Sequence, residues 1–531
     1  MIRMIRMGMA VSAVAVAFAA TACDRASDFD VVEATIADIQ GAIEAGRTTC
    51  VEVVDAYLAR IAAYDRTTGL NAITVVNPQA RARAAGIDAR RAAGEPLGPL
   101  WCAPLLIKDN FDTHDLPTTG GSVAMMDHLP PDDAFMVARL RAADAIVLAK
   151  TNMAEWAFSP RRTESSSYGV TANAYALDRV PAGSSGGTAS GVAASFGVAG
   201  MGTDTGNSIR GPASHLALFG IRSTIGLTSR DGIIPLAFDR DVAGPLARTV
   251  EDAARIFSVI VGTDPADPFT AEADAHKADD YTRFLDRDGL GGVRVGVLRA
   301  LVDTDGADPE ITALFEAALD DMRRAGAVIV DPVEVADFAA HIKDEGFCPR
   351  FRYDMHVYLG SLGERAPFDD VMRVRESGQY SPYVEEALDY FAPYPLDVPP
   401  EKWGEPCPPY LAHPRRRAFL EAVTTAMDAA DVAVLVYPTW TRPPAHLDRA
   451  EEEYKGDNSQ LVAPATGMPA ATVPMGFSHG DLPAGLQILA RRFDEPTIFR
   501  VAYAYEQATR HRRPPAAFPP LGTGDKSAPG P

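Results

Sequence analysis

Apolar positions between residues 35 and 64 recur at helical spacing: Ile36, Ile39 and Ile43, then Val51, Val54, Tyr57, Leu58 and Ile61. Gly46 interrupts the run, so two helices are predicted. Short apolar runs at 72–76, 105–108 and 145–150 are bounded by proline or polar residues and read as buried strands, with a helix over 134–142. Residues 293–298, 432–438 and 470–474 read as further strands, and 310–325 and 498–508 as helices. Strands alternating with helices favour an α/β sheet, built as one large unit or as two domains. Lys108 ends the 105–108 run, so it sits at a strand end, where α/β proteins commonly hold site groups.

Elsewhere the pattern breaks. Arg3 and Arg6 precede an apolar run over 7–20 that is too short to span a bilayer, so 1–22 reads as an export signal. Ala20-Thr21-Ala22-Cys23 resembles a bacterial lipobox, which makes Cys23 a candidate lipidated N-terminus and membrane attachment point. Ordinary cleavage after Ala22, leaving a free periplasmic protein, is the alternative. Residues 264–286 read as a surface excursion. The stretch from about 345 to 414 is irregular and rich in proline and aromatics, either a substrate-side wall or a peripheral insertion. The tail, 516–531, is rich in proline and glycine and is expected to be disordered.

Export permits disulfides. Four cysteines remain after Cys23, and Cys348 and Cys407, which flank the irregular stretch, are the better candidate pair. Four unpaired thiols, Cys50 and Cys102 among them, are the other reading. A chain of 531 residues that is 47% hydrophobic and 23% charged can bury a large core. Its net charge of −21 repels phosphate backbones, so no nucleic acid partner is expected. There is no CxxC, and the histidines lie in no metal-binding spacing, so neither metal nor organic cofactor is expected.

Two serine-bearing, glycine-rich stretches carry the candidate chemistry: PAGSSGGTASG from Pro181 and GTDTGNSIRGP from Gly202. Glycine lets a backbone turn tightly and approach a substrate, so such turns can gather hydroxyls and free N–H groups around one point. The first stretch precedes a helix-compatible run over 190–198, which argues against a linker, and it lacks the lysine of a phosphate loop. Gly183-Ser184-Ser185-Gly186-Gly187 also satisfies GxSxG, which makes Ser185 the nucleophile of an α/β-hydrolase on that alternative. Residues 178–182 are a poor strand to lead into such an elbow. For Lys108 to act as a base it must be neutral. Burial supplies that, and Asp109 opposes it if both side chains face the site.

Lys108, GSSGG and GNSIRGPAS, in this order, resemble the amidase signature family of serine hydrolases. The similarity continues through GIRSTIGLTS at 220–229, DVAGPLARTVED at 241–252, and LPAGLQILARRFDEPTIFRVAYAYEQAT from Leu482. The resemblance implies one large α/β/α domain over 30–515 with a mixed central β-sheet flanked by helices. It implies an amidase acting on a small-molecule amide, with Ser208 as acylating nucleophile, Ser184 as bridge and Lys108 as base. The Gly183–Ser184 peptide is then cis, the N–H groups of Thr205, Gly206, Asn207 and Ser208 form an oxyanion hole, and Asp204 and Arg210 brace the loop. A hydroxyl both donates and accepts, so Ser184 can pass a proton from Ser208 to a neutral Lys108 and back to a leaving amine. Asn207 stands where the family most often has a second glycine. Asparagine tolerates a left-handed backbone, so the turn is expected to survive, its side chain narrowing the pocket or adding a polar contact. Some members release ammonia from glutamine within a tRNA-amidating complex, which an export signal argues against. The same chemistry opens esters, and aliphatic, aryl, fatty-acyl and peptide amides all remain open as substrates.

Overall fold

The computed structural model describes residues 29–344 and 346–522. The expected export signal, Cys23 and the last nine residues of the tail lie outside them. Among the described residues the strands are β1 Ile73–Val76, β2 Pro104–Lys108, β3 Ile146–Thr151, β4 Glu164–Ser165, β5 Gly169–Val170, β6 Ala199–Asp204, β7 Phe219–Arg222, β8 Val242–Ala247, β9 Arg294–Val297, β10 Val328–Val330, β11 Val434–Pro438, β12 Ala470–Ser478 and β13 Leu482–Ala490. β4 and β5 form a small hairpin. The other eleven make one sheet in the order β1-β3-β2-β6-β8-β7-β12-β13-β11-β9-β10. β3, β2 and β6 run parallel, as do β11, β9 and β10, while the strands between β6 and β11 pair antiparallel. This is a single α/β domain with a large mixed sheet flanked by helices.

Burial on both faces explains why β2, β3 and β11 read as unbroken apolar runs instead of alternating ones: every residue in them is buried. The first two helices are Ile36–Glu44 and Cys50–Tyr64, and each opens with a capping box, Thr35 with Asp38 and Thr49 with Glu52. Gly46, at φ +68°, makes the break between them.

Three regions differ from expectation. The glycine-rich 199–204 segment is a central strand, because the helix Gly186–Ala193 lies so close that a Cβ on Gly200 would collide with Thr188 Cγ2. The stretch expected to be irregular holds helices Phe351–Ser361, Met372–Ser377 and Glu385–Phe391, whose apolar faces pack with Trp156, Met125 and Ile234 in a second core. Helices this short are held by such packing and leave little local signal. The described start of the tail, 516–522, is docked where it was expected to be disordered: Phe518 is 2% exposed and sits edge-on to Tyr64 and Phe196. Both cysteine pairs are bonded, Cys348–Cys407 and also Cys50–Cys102. The second pair joins the start of a helix to the loop before β2.

Candidate active site

Parallel pairing of β2 with β6 aligns their carboxyl ends, Ile107 opposite Met201, so Lys108 emerges beside Thr203. Lys108 Nζ lies 2.7 Å from Thr203 Oγ1 and 2.8 Å from Ser184 Oγ. Its burial is complete. That burial pulls the ammonium down to about 7, although Asp241 and Asp204 pull the other way. Asp109 is not among its antagonists. Successive strand residues face opposite ways, and Asp109 turns to Thr119 and to the buried Lys150, 3.4 Å away.

Ser184 precedes the helix Gly186–Ala193, and the Gly183–Ser184 peptide is cis. A Cβ on Gly183 would collide with the carbonyl oxygens of Ser159 and Arg162, so no other residue fits. Ser185 is turned away: its hydroxyl donates to Thr203 O at 3.2 Å, and residues 178–182 form no strand. The α/β-hydrolase elbow is therefore not built.

Past β6 the chain turns through Thr205, Gly206, Asn207 and Ser208. Among the described residues, none accepts a hydrogen bond from the N–H groups of these four. They line a cavity of about 150 Å³ that opens over Ser208. The loop is held from behind by Asp204, which accepts from Ile209 N at 3.2 Å, from Arg210 Nη2 at 3.1 Å and from Arg222 Nη1 at 3.0 Å. Arg210 Nη2 also donates to Gly206 O at 2.7 Å. Burial pushes the Asp204 carboxyl up, but the two guanidiniums and their hydrogen bonds outweigh it and hold it at about 2. Ser208 Oγ faces Asn207 Oδ1 at 3.4 Å, and it makes no hydrogen bond to Ser184 in this arrangement.

Asn207 does not draw on its left-handed tolerance, since its backbone lies outside that region; its side chain makes the polar contact that was one of the two expectations for it. Nδ2 donates to Asp457 Oδ2 at 3.0 Å and to Pro160 O at 3.3 Å, fixing the loop to two other segments. The pattern of residues did not point to Thr203, Asp241, Asp457 or Gln460. Asp241 accepts from Thr205 Oγ1 at 2.5 Å, and Gln460 fills the space beside Gly206, where a Cβ would collide with its Oε1. Two of the four have a visible signal: Thr203 lies inside the stretch from Gly202, and Asp241 heads the family-like stretch 241–252.

Among the described residues, His114, Asp115 and Asp133 are grouped closely enough to hold a cation. Arg141 already pairs both carboxylates, at 2.5 and 3.0 Å.

A family model described as Amidase matches residues 52–499. The chain belongs to the amidase family. Relatives of this amidase-family chain include one component of the Glutamyl-tRNA(Gln) amidotransferase of Roseiflexus sp. (strain RS-1), 36% identical over 91% of this chain and 98% of the relative. Among solved structures, the native peptide amidase from Stenotrophomonas maltophilia is 36% identical, with a TM-score of 0.80 over 91% of this chain and 98% of that one. An amidase family protein from Bacillus anthracis str. Ames is 28% identical, with a TM-score of 0.79 over 91% and 92%.

Proposed function

We propose that the chain hydrolyses a carboxylic amide to a carboxylate and ammonia or an amine through an acyl-enzyme on Ser208. The observation that carries this reading is the buried Lys108, half-neutral near pH 7 and hydrogen-bonded to Ser184, beside a serine loop with four unpaired N–H groups. Ser208 Oγ turns from Asn207 to Ser184 and attacks the carbonyl carbon. Its proton passes to Ser184, whose own proton passes to the lone pair of Lys108. The oxyanion lies against the N–H groups of residues 205–208, where each donor is worth about 10²–10³ in rate. The C–N bond breaks as the Lys108 ammonium returns a proton, through Ser184, to the departing nitrogen. Water then cleaves the ester and restores Ser208.

Amide chemistry without an acceptor complex is favoured, over a role like that of the amidotransferase relatives, by similarity to a protein named a peptide amidase and by the expected export signal. The two disulfides suit the oxidising compartment that such a signal implies. The envelope location and lipidation at Cys23 belong to this proposal; a Cys23→Ala protein that still partitions with membranes rules out the anchor. The main test is Ser208→Ala: amide hydrolysis is expected to fall by more than about 10³-fold, with loss of fluorophosphonate labelling. Full activity in that variant overturns the reading.

A further inference from the structure

The cavity over Ser208, at about 150 Å³, holds little more than an acyl carbon and one modest side chain, at about 30 Å³ per water-sized group. It does not end there. Phe158, Pro160, Leu236 and Phe347 are shared with an outer cavity of about 410 Å³, which lies within the range of ligand sites. Its wall is pre-built: Phe158 packs on Phe351 and Phe391, and Tyr383 OH accepts from Glu155 N at 2.9 Å.

Charge around this outer cavity is unevenly answered. Arg161 pairs with Glu451, and Arg162 pairs with Glu451 at 2.9 Å and with Glu164 at 3.2 Å. On the helix Glu385–Phe391, Glu385 and Asp389 both pair with Arg375, at 2.9 and 2.7 Å. Glu386 is the exception. It lines the outer cavity and makes no hydrogen bond or ion pair among the described residues. Tyr390, one helical turn on, lines the same cavity and is 51% exposed.

A carboxylate and a half-exposed aromatic ring one turn apart, the ring also meeting Phe391 and Tyr394, form a pair of contacts for a cation, one coulombic and one through the ring. We propose that Glu386 and Tyr390 form a distal subsite for a cationic group on the acyl part of the substrate, so that the enzyme favours amides of peptides with a basic residue before the terminal one. This rests on the amidase reading. The terminal residue occupies the inner cavity, and an extended chain advances about 3.3–3.6 Å per residue, which carries the preceding side chain into the outer one.

The test uses the full-length enzyme with N-acetyl dipeptide amides sharing a terminal leucinamide and carrying lysine, leucine or glutamate before it, with N-acetyl-leucinamide as the short probe. An exposed ion pair with an added ring contact implies about a tenfold higher kcat/KM for the lysine than for the glutamate substrate at low salt. That ratio is expected to shrink in about 1 M salt, to fall several-fold in Glu386→Gln and to invert in Glu386→Lys. Equal rates for the lysine and glutamate substrates, or a ratio unmoved by Glu386→Gln, overturn the subsite and leave the amidase reading standing. Failure to cleave any of the four amides overturns the subsite, and the amidase reading falls with it only if Ser208 also takes no fluorophosphonate label.

Discussion

A lysine held neutral is expensive, and Lys108 shows where the cost falls. Burial lowers its ionisation from 10.5 to about 7, so between those values the unfolded chain binds a proton that the folded chain does not. Stability from this group therefore rises with pH across that window, and below about 7 its burial is a standing penalty. Activity has the same sign, since only the neutral amine can take the proton from Ser184. Log kcat/KM for an amide is expected to rise with unit slope up to about pH 7 and then level. Lys108→Met is expected to lose at least about 10²–10⁴ in rate while its urea midpoint at pH 7 does not fall. A Lys108→Met protein that keeps the acid limb would assign that limb to another group.

At the scale of elements, the 205–208 loop is shaped by what lies beneath it. Asp204, at the end of β6, is shared by Arg210 and Arg222, all three fully buried. Removing the negative partner leaves two buried guanidiniums unanswered, so Asp204→Asn is expected to destabilise by about 3–5 kcal/mol, read by urea denaturation at pH 7. With its folded value at about 2, the Asp204 contribution is present above about pH 4 and is lost as pH falls from there towards 2. The variant's stability is accordingly expected to lose that part of its pH dependence. The sequence makes the same elements only partly legible. Lys108, Ser184 and Ser208 stand out because the chemistry needs those residue types, two of them set in glycine. Thr203, Asp241 and Asp457 do not, since their neighbours come from strand order and from distant loops. β6 and β8 hide as strands: glycines make room for the helix Gly186–Ala193, and Pro245, opposite Met201 in the ladder, argues by pattern alone against a central strand.

Across the whole molecule, the last described segment reaches back to the helix that Ser184 precedes. Arg60 donates to the carbonyls of Ala194 and Ser195, just past that helix, and to those of Phe518 and Pro519, at 2.8–3.0 Å. A buried guanidinium thus ties the tail to the far end of the element that carries the relay. Phe518 closes the same corner against Tyr64 and Phe196, so Phe518→Ala leaves a cavity between the tail and the helix that Arg60 spans. A loss of about 3–5 kcal/mol is expected by urea unfolding, against less than about 1.5 for Phe518→Leu. Because the relay residues are at the other end of the helix, kcat per folded molecule at low temperature is expected to change little in either variant. A Phe518→Ala protein within about 0.5 kcal/mol of the parent would show that the docked tail does not support the fold.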